Sequence, residues 1–459
     1  MRFLLKHKLL ALIAVSFLSS SLPPHSVSAA GSSGVIIASG PDYEILSGSV
    51  IDGAGNTYSA IQFTKSFKIG STSFKNPSPT TPATAVLKIS NTGKILWSSP
   101  IATSSIWTGF NTESKLIIDE NGNVSAVFMF DFEMDFAGKK FAGVSRAYFD
   151  SLVVQFDGDD GRVLWTQMLG GDEVSPVGTF GGNTYFLSTK IKRLGDATRR
   201  YICEESSRVV SVDATGTLKE VFSSNRASSE YVNVAAAKLN YKGDLLLLAQ
   251  KRDEIVQSFK GTKCDEGSFY LLNYEIVSQK ILSRTSVFRD SFDGPMFISA
   301  EILDTSQTGK TLVCSVPFVQ SLAPSVMQIS LVDVDGKLLW SKNADVGESN
   351  PGSCMFAVFD NQENIKAVLT YSMKTFFGKK VAPNNRLIVA KIAVDGSLKE
   401  LKSIGTGKYI SVGTAISRNP LGSAFLITGN FQGSLSIAGK RVAVTNNKSD
   451  SFLYKLPGS

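Results

Sequence analysis

The chain has 459 residues and a mass of 49.3 kDa, with 43% hydrophobic, 10% aromatic and 19% charged side chains. A low charged fraction and 29 phenylalanines exclude a disordered polymer and supply apolar surface for a sizeable core. The formal charge of +7 is dispersed, and Arg199-Arg200 and Lys379-Lys380 are isolated basic pairs, so nucleic acid is not an expected partner.

The first predicted element is a leader. Arg2, Lys6 and Lys8 precede the apolar run Leu9 to Leu18, and a polar stretch ends in Ser26-Val27-Ser28-Ala29-Ala30. A basic start, a short apolar centre and a small-residue end define a signal peptide, residues 1–30, with cleavage after Ala29 or Ala30. The apolar run is too short for a stable membrane span, and no long apolar run follows it. The mature chain, residues 31–459, is expected to be exported (extracellular, cell-surface or periplasmic), monomeric and without a transmembrane segment. Both histidines, His7 and His25, leave with the leader. That excludes Ser-His-Asp and Cys-His catalysis, histidine zinc sites and imidazole bases.

From residue 43 onward one turn signature recurs: an Asp or Asn corner, a glycine, then an apolar strand. It stands at Asp52 to Tyr58, Asp119 to Val124, Gly181 to Tyr185 and Asn240 to Leu245, with weaker copies around Gly309, Asn364 and Gly422. The spacing is about 61 residues and admits seven copies. A second signature follows each first one, an apolar strand closing on a glycine turn and often on Leu-Trp, as at Gly93 to Trp97, Gly161 to Trp165 and Gly336 to Trp340. Between the two lies a short echo: Phe136-Ala137-Gly138-Lys139-Lys140, Phe377-Gly378-Lys379-Lys380 and Ile437-Ala438-Gly439-Lys440. Thr57–Phe63, Val124–Phe130 and Ala424–Thr428 alternate with the strand period of two. Each unit reads as four strands, with the echo as the third and the Gly-turn strand as the fourth. The expected fold is all-β, a seven-bladed β-propeller of four-stranded antiparallel blades forming a single domain. On this count the last unit takes its fourth strand from residues 451–456, which leaves open whether Gly34 to Ser39 joins it.

These units, best preserved at Asp119 to Gly171 and at Asp450-Ser451-Phe452, resemble the repeats of bacterial secreted β-propeller-repeat proteins. The resemblance spans residues 43–456 and implies an exported propeller, with little about chemistry. Thr92-Gly93-Lys94-Ile95-Leu96-Trp97 is also similar to the tryptophan-docking motif of pyrroloquinoline-quinone dehydrogenases. In that family the indole is structural, which implies that Trp97, Trp165 and Trp340 pack between neighbouring blades. A quinone-dependent oxidoreductase is the weakest functional alternative, since a fold does not carry its function with it.

Four cysteines in an exported chain permit disulfides. Cys203 and Cys264 hold matching offsets in adjacent units, while Cys314 (second strand, fifth unit) and Cys354 (first strand, sixth unit) approach near the hub. The favoured pairing is Cys203–Cys264 and Cys314–Cys354, against free buried thiols. Asp157, Asp159 and Asp160, and Asp333 and Asp335, lack the later glutamate of a calcium loop and suit tight turns instead, so no metal or other cofactor is expected. The connections between units carry Trp107, Arg226, Tyr231, Arg289, Phe292 and Tyr409, a set suited to stacking on sugars or anchoring a protein. They also carry Asp172, Glu173, Asp345 and Glu348, the carboxylates a histidine-free hydrolase or lyase would need. The primary expectation is a non-catalytic binding module for a protein or glycan. The alternative is a carboxylate-dependent polysaccharide hydrolase or lyase in the axial pocket.

Overall fold

The described residues of the computed structural model are 34–456, apart from 79, 105–115, 144–149, 171–172, 195–200, 225–230, 252–268, 289–296, 319–325, 346–353, 370–374, 382–385, 411–414, 421 and 444–447. The expected leader, residues 1–30, lies outside them. All regular structure among the described residues is β-strand, and no helix there is long and apolar enough to cross a membrane.

The chain forms four-stranded antiparallel meanders, one after another. The first unit contains Glu44–Ile51, Thr57–Phe63, Ala83–Ile89 and Ile95–Ser98; the second Leu116–Ile118, Val124–Phe130, Asp150–Phe156 and Val163–Gly170. The third contains Glu173–Phe180, Asn183–Leu194, Tyr201–Val212 and Leu218–Ser223; the fourth Tyr231–Leu239, Leu245–Lys251, Phe269–Glu275 and Lys280–Phe288. The fifth contains Phe297–Thr305, Thr311–Phe318, Val326–Val332 and Leu338–Asp345; the sixth Phe356–Phe359, Ile365–Leu369, Arg386–Ile392 and Leu398–Ile410. Ala415–Arg418, Phe425–Ile437 and Ser449–Leu456 begin the last unit. The first strand of every unit touches the first strand of the next, and Ala415–Arg418 touches Glu44–Ile51, so the inner strands close a circle. The fold is a β-propeller. Thr57–Phe63 and Asp150–Phe156 are buried at every residue, because each blade is covered on both faces by its neighbours.

Two strand assignments differ from the sequence reading. Residues 451–456 belong to the third strand of the last unit, and the fourth is Val35–Ser39 from the other end of the chain, paired Val35 with Tyr454 through Ala38 with Ser451. The short echoes are not blade strands either. Glu133–Phe136 with Lys139–Ala142, Thr375–Phe376 with Lys379–Lys380, and the far end of Phe425–Ile437 with Lys440–Ala443 are two-residue hairpins. Each hairpin pairs at the outer edge of the preceding unit, as Met134 does with Ser104 in the short strand Ala102–Ser104 that follows Ile95–Ser98, and Phe376 with Ala344. Positive φ at Ala137, Phe377 and Ala438, each followed by a positive-φ glycine, gives the turn whose twist matches a hairpin. The fourth strand of a blade is therefore the one that carries the tryptophan.

The first turn signature is a compact hydrogen-bonded loop. In Asp52–Asn56 the Gly55 N–H donates to Asp52 O, and Asp52 N–H donates to Asn56 O. The Asp52 carboxylate accepts from Asn56 N–H at 2.7 Å. The corner residue must carry a short acceptor, and the fourth must tolerate φ near +80°, which favours glycine. The same geometry recurs at Asp119, Asp213, Asn240, Asp333 and Asp360.

The second signature explains the tryptophans. Trp97 lies over Gly161 of the next unit, where a Cβ would stand 2.6 Å from the indole, and its Nε1–H donates to Gly158 O at 3.1 Å. Lys88 Nζ donates to the same carbonyl at 2.6 Å. Trp165 packs on Gly216 without a hydrogen bond from its buried Nε1, and Trp340 faces Gly396 with Nε1–H donating to Val394 O at 2.9 Å. Ile36 takes this place over Gly93 at the closing seam. Trp97→Ala is expected to cost about 3–5 kcal/mol, the usual range for removing a buried aromatic side chain. Gly161→Ala should also destabilise the same seam, since a Cβ at φ +75° meets the indole. Urea unfolding followed by near-ultraviolet circular dichroism measures both.

Cys314 and Cys354 are bridged, with Cα atoms 6.0 Å apart, and both are buried between the fifth and sixth units. Cys354 lies two residues before the inner strand Phe356–Phe359. Cys264 and the side chain of Cys203 lie outside the described residues. The bridge closes a separation of 40 residues, so Cys314→Ala/Cys354→Ala should cost on the order of 4 kcal/mol by loop entropy. Thermal melts with and without reductant should show the same loss in the native chain and none in the variant.

Candidate functional site: the loop-bearing face and its closing seam

Strand direction gives the disc two unlike faces. Every connection from first to second strand, and from third to fourth, emerges on one side as a short turn. These turns are laced together: Gly181 N–H donates to Glu120 at 3.2 Å, Asn361 N–H donates to Gly422 O at 3.2 Å, and Glu363 bonds Thr308 and Lys310. Near the axis, Arg418 Nε lies 2.9 Å from Asp304 Oδ2, which also accepts from Phe359 N–H at 2.8 Å. Arg418 donates further to Thr305 O at 3.0 Å. This half-buried ion pair ties the turn-side ends of three successive inner strands. The connections from second to third strand, and from one unit to the next, begin and end on the opposite face.

At that opposite face two carboxyl groups meet in the closing seam. Glu44 opens the inner strand of the first unit, and Asp450 lies at the start of the third strand of the last unit. They are 0% and 2% exposed, which seals them from any bulky substrate. Gly40 packs against them, because a Cβ there would stand 2.4 Å from Glu44 Oε1. The Ser451 hydroxyl lies 3.0 Å from Glu44 O and 2.7 Å from Asn430 Oδ1, and Asn430 Oδ1 also accepts from Leu46 N–H at 3.0 Å. Outside the pair, Asp42 bonds Lys448 and lies 3.5 Å from Lys65. Burial, then the charge of Asp450, raises the Glu44 carboxyl far above the ordinary range. Burial raises Asp450 as well, and Glu44 Oε1, Glu44 Oε2 and Asp450 Oδ1 are buried without a hydrogen-bond partner. Two carboxyl groups in contact away from water cannot both ionise, so the pair holds one proton between them.

The sequence-predicted site residues distribute unevenly. Trp97, Trp165 and Trp340 occupy the blade seams. Trp107, Arg226, Arg289 and Phe292 lie outside the described residues, as do the side chains of Tyr231 and Tyr409. The backbone places Tyr231 at the start of an inner strand and Tyr409 at the end of an outer strand, both on the loop-bearing face. Asp172 and Glu348 also lie outside the described residues. Glu173 and Asp345 stand in the third and fifth units. Asp157 and Asp333 cap their own turns, accepting from Asp159 N–H at 2.9 Å and from Lys337 N–H at 2.7 Å. Sequence reasoning missed Glu44 and Asp450. Asp450 sits in the repeated Asp-Ser-apolar motif, whose other clear copy, Asp150-Ser151, is buried too, but nothing in the sequence points from it to Glu44.

No family model matches this chain, and no curated protein matches it. Among solved structures it is similar to the Dos1 propeller, at 9% identity over 92% of this chain and 94% of that one, with a TM-score of 0.44. It is similar to the polysaccharide lyase Uly1, at 10% identity over 90% of each chain and a TM-score of 0.46. The β-propeller domain of the Trilobed protease from Pyrococcus furiosus matches at 12% identity over 72% of this chain and 98% of that one, with a TM-score of 0.31.

The acid pair makes stability depend on pH with a definite sign. A carboxyl whose pKa is higher folded than unfolded stabilises the fold while protonated, and that contribution is lost as pH rises. The loss should run from the ordinary carboxylate range upward to about 9, the value to which burial and Asp450 push Glu44. The thermal midpoint of the wild-type chain is expected to fall by several degrees between pH 5 and pH 9. Glu44→Gln should flatten that slope, measured by calorimetry across the same range.

Proposed function

We propose that this chain is an exported, seven-bladed β-propeller that works as a non-catalytic binding module, presenting its loop-bearing face to a protein or glycan. The observation that carries this reading is the inequality of the two faces. One face is spent on short turns that bond one another and on the Arg418–Asp304 tie at the axis. The other receives all the long connections. A rigid ring that holds such connections by both ends lowers the ordering cost of binding.

The unit-to-unit connections run from an outer strand to the next inner strand. Trp107, Arg226, Arg289 and Phe292 fall within them, and Tyr231 and Tyr409 flank them. Aromatic and arginine side chains are the types that anchor interfaces and stack on sugar rings. The Glu44–Asp450 pair is sealed, so it serves closure of the ring in this reading and not bond cleavage. Export is supported by the leader sequence and by the Cys314–Cys354 bridge, since disulfides persist in oxidising compartments.

A glycan array and a pull-down with the chain of residues 31–459 test the proposal. Saturable binding is expected, weakened about tenfold or more by Trp107→Ala or Arg289→Ala, as for residues central to an interface. Lys242→Ala on the turn face should leave it unchanged. Turnover of a polysaccharide would reject the reading in favour of a carboxylate-dependent hydrolase or lyase.

A further inference from the structure

The two ends of the chain are joined by a short strand, and the Glu44–Asp450 pair sits where that strand stops. Val35–Ser39 pairs with Ser449–Leu456 from Val35 with Tyr454 to Ala38 with Ser451, one residue short of Asp450. Its other edge pairs with Ser66–Ile69 only through Ala38 with Ile69 and Ser39 with Lys68. Residues 40–43 then carry the chain directly into Glu44 and the inner strand of the first unit. Gly40 is wedged at this point, since a Cβ on it would stand 2.1 Å from Ser66 O and 2.4 Å from Glu44 Oε1. The backbone that ends the closing strand is thus also a cover over the carboxyl groups.

The surroundings give the pair no neutralising charge. Glu44 Oε1, Glu44 Oε2 and Asp450 Oδ1 are buried without a hydrogen-bond partner, and among the described residues no cation contacts them. Asn430 Oδ1 is committed to Leu46 N–H and the Ser451 hydroxyl. Val35–Ser39 brings no titratable side chain, and Ser66–Ile69 brings only Lys68, which is exposed. In the connecting segment, Asp42 holds Lys448 and lies 3.5 Å from Lys65, and Lys448 also lies over the Tyr43 ring. The charge of Asp42 opposes ionisation of Glu44. A second negative charge in the pair therefore meets like charges in a dry site. Pro41 and Tyr43 are exposed, so displacing residues 40–43 is a direct way to hydrate it.

We propose that the Glu44–Asp450 pair is a proton-operated latch on the ring: loss of its shared proton releases residues 40–43 with the adjoining end of Val35–Ser39, and opens the closing seam while the other blades stay folded. The proton passes to solvent, both carboxylates are hydrated in the open state, and return of the proton recloses the seam. Seams elsewhere are held by Trp97, Trp165 and Trp340 and by the Cys314–Cys354 bridge, none of which titrates in this range, so the change is local. The latch rests on the seam alone and is independent of what the loop-bearing face binds.

Hydrogen exchange read by mass spectrometry on the chain of residues 31–459, from pH 6 to pH 9, tests it. After division by the intrinsic exchange rate, opening at amides of Val35–Ser39, Glu44–Ile51 and Ser449–Leu456 should rise about tenfold per pH unit, the slope for release of one proton. The slope should run up to about 9, where Glu44 ionises in the closed seam. Amides of Val326–Val332 in the fifth unit should show none, and return to pH 6 should restore protection at the seam. Glu44→Gln, which keeps the shape of the protonated carboxyl, should abolish the slope. Asp450→Asn should end it at a lower pH, because Glu44 then ionises without a like charge beside it. A flat response at the seam, an equal slope in the fifth unit, or an unchanged slope in either variant would overturn the proposal.

Discussion

Each blade alone leaves both of its apolar faces bare, so a ring of small sheets gains stability when its first and last sheets are fastened to each other. Here the fastening is a shared sheet. Val35–Ser39 pairs along Ser449–Leu456, so the two ends of the chain lie side by side in one blade. Lys455 adds a second tie, its N–H donating to Gly34 O and its ammonium to Gly55 O in the first unit. Ile36 then covers Gly93 where tryptophans cover glycines elsewhere. The circle of inner strands, the axis they surround and the separation of two faces all follow from that one shared sheet.

The hairpin echoes extend the same logic around the ring. Instead of completing its own blade, each hairpin adds strands to the outer edge of the blade before it. An exposed outer strand is an invitation to aggregate, and covering it with a neighbour's hairpin removes the hazard while locking adjacent blades by backbone hydrogen bonds. Phe136, Phe376 and Ile437 sit in these hairpins almost fully buried, so the lock is also apolar. At the closing seam Ser66–Ile69 plays this part against Val35–Ser39, which places the Glu44–Asp450 pair beneath a doubly fastened junction. A buried proton-sharing pair leaves that junction responsive to alkaline conditions, and the cost of such a group is tolerated where neighbouring contacts over-determine the geometry.

Division of labour between the faces separates stability from recognition. Short turns with corner carboxylates leave little freedom on one side, and there the structure invests in contacts between units. The other side inherits the connections whose length and composition vary without disturbing the ring.

Much of this was legible in the sequence. The Asp or Asn corner with its glycine specifies a turn locally, through a side-chain acceptor and a positive φ, and its recurrence gave the repeat and the all-β class without reference to distant residues. The Cys314–Cys354 approach followed from repeat register, and the packing position of the tryptophans from the resemblance to the tryptophan-docking motif. The identity of the third and fourth strands did not follow, because a hairpin that pairs with the preceding blade and a strand that pairs within its own have the same alternation and the same turn residues. The partnership of Val35–Ser39 with Ser449–Leu456, and of Glu44 with Asp450, was also invisible. Local patterns fix what each segment is; only closure of the ring decides which segments, some 400 residues apart in the chain, share a sheet edge or a proton.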